Sequence, residues 1–228
     1  MSLILALETS GKVCSAAFIE NGNPIYYAEY QVQKSHAEVI NVLVDQAFSA
    51  TSKLPIDISA VAVSIGPGSY TGLRIGLSSA KGFCFALDIP LITVDTLQTM
   101  ASQVIDLGLT SNCYVPMIDA RRMEVFTAAF NEHAQLISGP AAFIFDEHIS
   151  PEWFTYFKGA VFFGDGMGKG CSYINSIEGS ICLNNIYPKA DSVGRLAYLK
   201  LQKSEFADLA YQEPFYLKPF YTTAAKEN

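Results

Sequence analysis

Apolar and polar positions alternate in short blocks along the first hundred residues. Leu3 to Leu7 is apolar and ends in Glu8-Thr9-Ser10-Gly11, a run of turn formers. Val13 to Ile19 is apolar again, Asn21-Gly22-Asn23-Pro24 makes a second turn, and Ile25 to Tyr30 follows. Three strands joined by tight turns predict an antiparallel meander. Beyond it the period changes. Val39, Ile40, Leu43, Val44, Ala47 and Phe48 recur at spacings of three and four, which predicts a helix over 35–50 with one apolar face. Ser35 and Glu38 fit a capping box, the Ser35 oxygen accepting from the Glu38 backbone N–H while Glu38 reaches back. A strand over Ile58 to Ile65, a helix over Thr71 to Leu87 stopping before Pro90, a strand over Leu91 to Val94 and a helix over Thr96 to Leu107 ending at Gly108 complete this half.

The second half opens as the first does. Tyr114 to Ile118 is apolar and ends in Asp119, and a turn through Arg121-Arg122 leads into Val125 to Phe130. Thr127-Ala128-Ala129-Phe130 repeats Ser15-Ala16-Ala17-Phe18 about 112 positions later. Duplication predicts this, and chance likeness between two apolar hairpins competes with it. A short strand over Ala160 to Phe163 enters Gly164-Asp165-Gly166, and Asp191 to Gln202 reads as a helix. No low-complexity linker separates the halves, so they are expected to pack closely.

Composition narrows the function classes. Half of the 228 residues are apolar and 16% are charged, a folded rather than a disordered composition. The N-terminus is too short in apolar residues for a secretory or membrane segment. The five cysteines are scattered and form no CxxC, so neither a zinc site nor a disulfide framework is suggested. A reduced cytoplasmic protein is expected. The net charge of −7 disfavours strong nucleic-acid binding by the chain alone; Arg121-Arg122 is the one basic pair.

The glycine-rich stretch Gly66 to Phe83 resembles a phosphate loop but fits neither standard template. A P-loop needs GxxxxGK followed by Ser or Thr, and Lys81 is followed by Gly82; a dinucleotide fingerprint needs its third glycine one residue before Gly72. Gly72, Gly76 and Ala80, four apart, form a small-residue stripe on one helix face. Such a stripe admits close approach, either of a partner helix or of the domain's own neighbouring element.

The residues then carry a family likeness. ILALETS at Ile4 to Ser10, HAE at His36 to Glu38, GPGSYTGLRIGLSSAKG at Gly66 to Gly82, IDARRMEVF at Ile118 to Phe126, FFGDG at Phe162 to Gly166 and PFYLK at Pro214 to Lys218 resemble the TsaB (YeaZ) family. The chain departs from it at Glu8, where the family usually has Asp, and at Asn41, where it usually has Pro. The resemblance implies an α/β, duplicated actin-like (ribonuclease-H-like, sugar-kinase-like) fold with two lobes of mixed sheet flanked by helices. It implies a first lobe over 1–108, completed by a segment near 205–228, and a second over 109–204. It implies a non-catalytic partner of TsaD in making threonylcarbamoyladenosine on tRNA, alongside a TsaE-type subunit. The tRNA is met through the complex, with a homodimer as the form without the partner. The interface implied is the first two helices, through His36, Glu38, Val39, Ile40, Leu43, Gly72, Arg74, Gly76 and Ala80.

Two enzymatic readings compete. A TsaD-like metal enzyme or glycoprotease would need the two histidines that TsaD relatives carry four apart on a helix; the matching positions here are Thr96 and Met100, and Asp191 alone does not hold a metal. His36, His133 and His148 are not spaced as a site, and His36 is expected to be an exposed first-turn residue. An actin-like kinase or hydrolase would need phosphate-gripping turns. Glu8, Thr9 and Ser10 fit the first only in part, Glu8 being either a turn carboxylate or a holder of a metal-bound water. Asp119 opens the second turn but is followed by bulky arginines. Gly164 and Gly166 either abut an adenosine or make a tight turn. No cofactor is therefore expected, with weak nucleotide binding left open. Cys14, Cys84 and Cys182 read as core residues rather than nucleophiles, and the aromatic tail, Phe215-Tyr216 and Phe220-Tyr221, as a strip packed back onto the protein.

Overall fold

The computed structural model describes residues 2–31, 35–146 and 155–218; His148, Phe220 and Tyr221 lie outside them. β1 (Leu3–Glu8), β2 (Cys14–Glu20) and β3 (Asn23–Tyr30) form the expected antiparallel meander. After α1 (His36–Thr51), β4 (Ile58–Ser64) joins β1 in parallel; after α2 (Tyr70–Leu87), β5 (Leu91–Val94) joins β4. The sheet order is β3-β2-β1-β4-β5. Following α3 (Thr96–Ile105), the pattern repeats with β6 (Tyr114–Asp119), β7 (Glu124–Phe130), β8 (Leu136–Ile144), β9 (Val161–Phe163), α4 (Cys171–Ile174) and β10 (Ile181–Leu183), in the order β10-β9-β6-β7-β8. Both sheets are therefore a meander with two parallel strands added beside its first strand, which is the duplicated two-lobe fold expected. β8 escapes the sequence pattern because it is an edge strand, exposed at most positions, with Gly139 and Pro140 inside it.

Alternation along β1 divides the first core. Leu3, Leu5 and Leu7 face α1 and α2, which lie side by side on one face. Ile4 and Ala6 face the other side, where α5 (Ala190–Gln202) packs through Ala190, Val193 and Ala197. Correspondingly, α3 packs through Leu97, Met100, Ala101 and Val104 on the second sheet. The last helix of each half thus covers the other half's sheet, so α5, inside the 109–204 span, sits by packing on the first lobe. Arg195 of α5 ties the two crossing helices by reaching Asp106 at the end of α3 at 3.3 Å. Beyond α5 the chain bridges β5 through Ala207 and Leu91 and reaches β4's exit, where the Phe215 N–H donates to the Ile65 carbonyl at 2.7 Å.

Two helix starts show how local sequence and packing divide the work. Ser69 caps α2, its hydroxyl accepting from the Gly72 N–H at 3.2 Å. At α1 the capping box is replaced by a simpler cap: the Ser35 hydroxyl accepts from the Ala37 N–H at 3.3 Å, and the Glu38 N–H turns to the Ser35 carbonyl instead.

The glycine stripe faces inward, which corrects the expectation that Gly72, Gly76 and Ala80 meet a partner. All three are buried. A Cβ on Gly72 would collide with the Thr9 carbonyl oxygen, and one on Gly76 with the Thr9 hydroxyl. By contrast, Gly82 on the same helix is exposed and its Cβ would meet nothing. Gly76→Ala is expected to destabilise the isolated chain by about 1–3 kcal/mol through overpacking, despite alanine's better helix propensity. Gly82→Ala is expected to stabilise it by about 0.8–1 kcal/mol. Thermal unfolding of the two variants checks both signs; a Gly76→Ala chain melting at or above the parent would put the stripe back on the surface.

Candidate functional site

The turn after β1 is held from three sides. Thr9 donates from its hydroxyl to the Gly72 carbonyl at 2.7 Å, and the Ser10 carbonyl accepts from the Ser69 N–H at 2.7 Å. His36, at the start of α1, lies with Nε2 2.8 Å from the Gly11 carbonyl. It is half-buried and engaged with this turn, rather than a free first-turn residue. Glu8, Thr9 and Ser10 are all buried. Glu8 accepts from the Ser10 N–H at 2.5 Å through Oε1, while Oε2 has no hydrogen-bond partner, although the Ser10 and Ser64 hydroxyls adjoin the carboxyl. Burial pushes the Glu8 carboxyl above the usual carboxylate range, and the neighbouring donors and His36 offset only part of that.

The matching turn of the second lobe is more open. Asp119 is exposed and its Oδ1 accepts from the Arg121 N–H at 2.7 Å and from Lys169 at 2.6 Å. Burial alone would raise its carboxyl, but Lys169 and the Arg121 N–H outweigh this and hold it below the usual range. The Asp119 N–H donates to Asp165 at 2.9 Å. Gly164 and Gly166 do not open toward a ligand: a Cβ on Gly164 would collide with the Met117 carbonyl, and one on Gly166 would sit 2.9 Å from the Ile118 carbonyl carbon. They make the tight turn that brings Asp165 to Asp119.

Between the two turns lies a cleft of about 560 Å³, lined by Ser10 to Lys12, Pro67 to Thr71, Ile118 to Arg121, Asp165 and the tail segment Phe215 to Lys218. Lys12 of one lobe reaches Asp165 of the other at 3.2 Å, and Lys218 of the tail pairs with Glu124. Tyr216 stacks on Tyr70 at 4.7 Å and accepts from Arg74 at 3.0 Å. Phe215-Tyr216 is thus a packing strip, as the sequence suggests. The structure therefore brings Ser10, Asp119 and Arg121 to one cleft, but leaves Glu8 and Thr9 behind its wall. The sequence gives no sign of the pairing of Lys12, Asp165, Lys169 and Lys218, because it joins segments distant along the chain.

The expected interface residues separate in the same way. Val39, Ile40 and Leu43 are buried in the first core, so they cannot meet a partner while the lobe is folded. Glu38 and Arg74 are exposed, and the outward face also carries Val42 and Phe85, 52% and 83% exposed. The buried apolar stripe of an amphipathic helix belongs to its own domain, and the opposite face is what remains for a partner. Cys14 and Cys84 lie in the core as expected, and burial pushes their thiols up to about 12 and about 11, away from nucleophilic character.

Residues 30–155 match the family model described as TsaD, tRNA N6-adenosine threonylcarbamoyltransferase. The chain belongs to the TsaD family. Its sequence is 34% identical over 123 residues to the tRNA threonylcarbamoyladenosine biosynthesis protein TsaB of Haemophilus influenzae, covering 54% of this chain and 51% of that protein. The chain thus spans about half the length of this relative. With the Escherichia coli protein of the same name the match is 28% over 227 residues, covering 94% of each. The solved structure of YeaZ from Pseudomonas aeruginosa superposes with a TM-score of 0.80 at 23% identity, over 95% of this chain and all of that one. The resemblance to TsaB (YeaZ) drawn from the sequence is borne out. The activator of 2-hydroxyisocaproyl-CoA dehydratase from Clostridium difficile, solved with bound ADPNP, shares the actin-like fold at a TM-score of 0.52 and 8% identity, covering 89% of this chain and 97% of that one.

Within the TsaD family, the two positions matched to metal-binding histidines have other tasks here. Thr96 is buried and its hydroxyl accepts from the Gly66 N–H at 3.1 Å, while Met100 packs in the second core. Asp191 pairs with Arg195 at 2.8 Å. Among the described residues no group of three or more His, Cys, Asp or Glu could hold a metal ion.

Glu8 generates a pH dependence. Because its folded-state pKa is raised, the folded chain holds a proton that the unfolded chain releases earlier. Stability from this group is therefore fully present below the ordinary carboxylate pKa and falls as pH rises through the folded value. Glu8→Gln keeps the acceptor to Ser10 and removes the ionisation, so it is expected to flatten the loss of melting temperature between acidic and mildly alkaline buffer. Parallel melting curves that fall equally in parent and variant would show that Glu8 is not the source.

Proposed function

We propose that the chain is a non-catalytic partner subunit in the formation of threonylcarbamoyladenosine on tRNA. It works beside a TsaD-type catalytic subunit and a TsaE-type subunit, and tRNA reaches it within that complex. The observation that carries this reading is the turn after β1. In an actin-like kinase this turn would face phosphate, whereas here Thr9 is bonded to α2 and Glu8 is enclosed behind it. No bound nucleotide or metal is needed for a scaffold role. The names of the TsaB relatives support the pathway, and the free cysteines suit a reducing compartment such as the cytoplasm. Among the described residues no helix is long and apolar enough to cross a membrane.

The partner surface is the outward face of α1 and α2, around Glu38, Val42, Arg74 and Phe85. In the absence of a partner the same face serves a second copy of the chain. The competing reading, an ATP-dependent kinase or hydrolase, rests on the open cleft and on the ADPNP-bound neighbour of the same fold.

Threonylcarbamoyl transfer to tRNA, reconstituted with and without the chain, tests the reading: transfer is expected to need it, while the chain alone turns over no ATP. ATP turnover that co-purifies with the chain and disappears on chelation would favour the kinase reading. Phe85→Asp should leave the melting curve unchanged, because the ring is exposed, while capture of the TsaD-type subunit and tRNA modification fall together. Undiminished capture would remove α2's outer face from the interface.

A further inference from the structure

The β6–β7 hairpin presents its two arginines in an unusual way. Arg121 and Arg122 have φ of +70° and +48°, the left-handed region that non-glycine residues rarely enter and that Asn and Gly enter most easily. Two consecutive non-glycine residues there are strained. Nothing within the fold offsets that through the side chains: both residues are exposed, and neither makes an ion pair among the described residues. Strain of this kind, held by a firm surround, is a recurring mark of a functional contact.

The surround is firm and leaves the arginines uncompensated. Asp119 is occupied by Lys169 and by the Arg121 N–H. Lys169 also donates to the Glu124 carbonyl at 2.8 Å, the Glu124 side chain is paired with Lys218, and Asp165 is paired with Lys12. Asp119, Glu124 and Asp165 are thus each taken by a lysine, and neither arginine joins these pairs, on a chain whose net charge is −7. Across the cleft, Tyr70 and Tyr216 stack, with the Arg74 guanidinium 4.2 Å from the Tyr70 centroid. These rings are occupied by each other and by Arg74, so what this side of the molecule offers a phosphodiester chain is cationic charge rather than a stacking platform. A guanidinium also matches the fork of a phosphate better than an ammonium does.

We propose that the Arg121–Arg122 tip of the β6–β7 hairpin contacts the phosphodiester backbone of RNA. The proposal rests on the reading of the chain as part of a tRNA-modifying assembly. The acidic remainder of the chain repels a polyanion, so the contact is local, involves one or two phosphates, and adds to binding made elsewhere in the assembly.

The test compares the parent with R121N/R122N, which removes both charges while keeping residues that accept left-handed φ, and with R121K/R122K, which keeps the charge. Affinity for tRNA is measured over a salt series for the full chain bound to the TsaD-type subunit. R121N/R122N is expected to melt no lower than the parent and to capture the subunit as well. Its tRNA binding should be weaker, and the slope of log K against log salt shallower by about 1 per arginine lost. R121K/R122K should keep most of the slope. Parent-like affinity and slope in R121N/R122N would overturn the proposal, as would loss of subunit capture with an unchanged salt slope, which would assign the tip to an acidic protein surface instead. If the parent itself fails to capture the subunit, the partner reading falls separately. The same variants are then compared for tRNA binding by the full chain alone at low salt, where equal binding overturns the proposal and weaker binding by R121N/R122N supports it.

Discussion

The Thr9 hydroxyl holds the Gly72 carbonyl at 2.7 Å, and that contact exists only because α2 carries no side chain at Gly72 or Gly76 where it crosses the turn after β1. With α2 this close, Ser10 can accept from the Ser69 N–H that opens the helix, and Gly11 can meet His36 at the head of α1. One turn thereby fixes both helices of the first lobe at their starts. The two helix-interior glycines cost roughly 2 kcal/mol in propensity against alanine. Close packing and two buried hydrogen bonds are what offset it.

This arrangement also decides what the cleft can do. In the turn that would face phosphate in a kinase lobe, Ser10 reaches the cleft but Glu8 and Thr9 lie behind its wall, and the Glu8 carboxyl is enclosed rather than presented. The charged side chains exposed in the cleft are Lys12 of the first lobe, Asp119 and Arg121 of the second and Lys218 of the tail, and the pairs Lys12–Asp165 and Lys218–Glu124 span the gap. Those pairs are partly exposed and each contributes little on its own, about 0–1 kcal/mol. The lobes are joined more firmly by the exchange of their last helices, because α3 and α5 each bury an apolar face on the opposite half's sheet.

The outer faces of α1 and α2 follow from the same geometry. Once Val39, Ile40 and Leu43 are committed to the sheet, the opposite side of α1 shows Glu38 and Val42, and that of α2 shows Arg74 and Phe85. A partner surface on these helices therefore uses residues other than those with the strongest apolar pattern.

Sequence alone determined the meander, the helices with an apolar stripe and the repeat between the halves, because each is written in spacings of two or of three and four that local geometry imposes. It also determined that Lys81 and the glycines miss both phosphate templates, and that Thr96 and Met100 stand where a metal site would need histidines. Tertiary structure decided which way each feature faces. Gly72 and Gly76 could serve a partner helix or the chain's own turn, and only the position of Thr9 selects the second. His36 looked like a surface residue until Gly11 was brought beneath it. β8 had no alternation to read, since an edge strand exposed along most of its length is not constrained to alternate. The ion pairs Lys12–Asp165 and Lys218–Glu124 join residues more than ninety positions apart. Such pairing follows from how the lobes meet, and no local pattern encodes it.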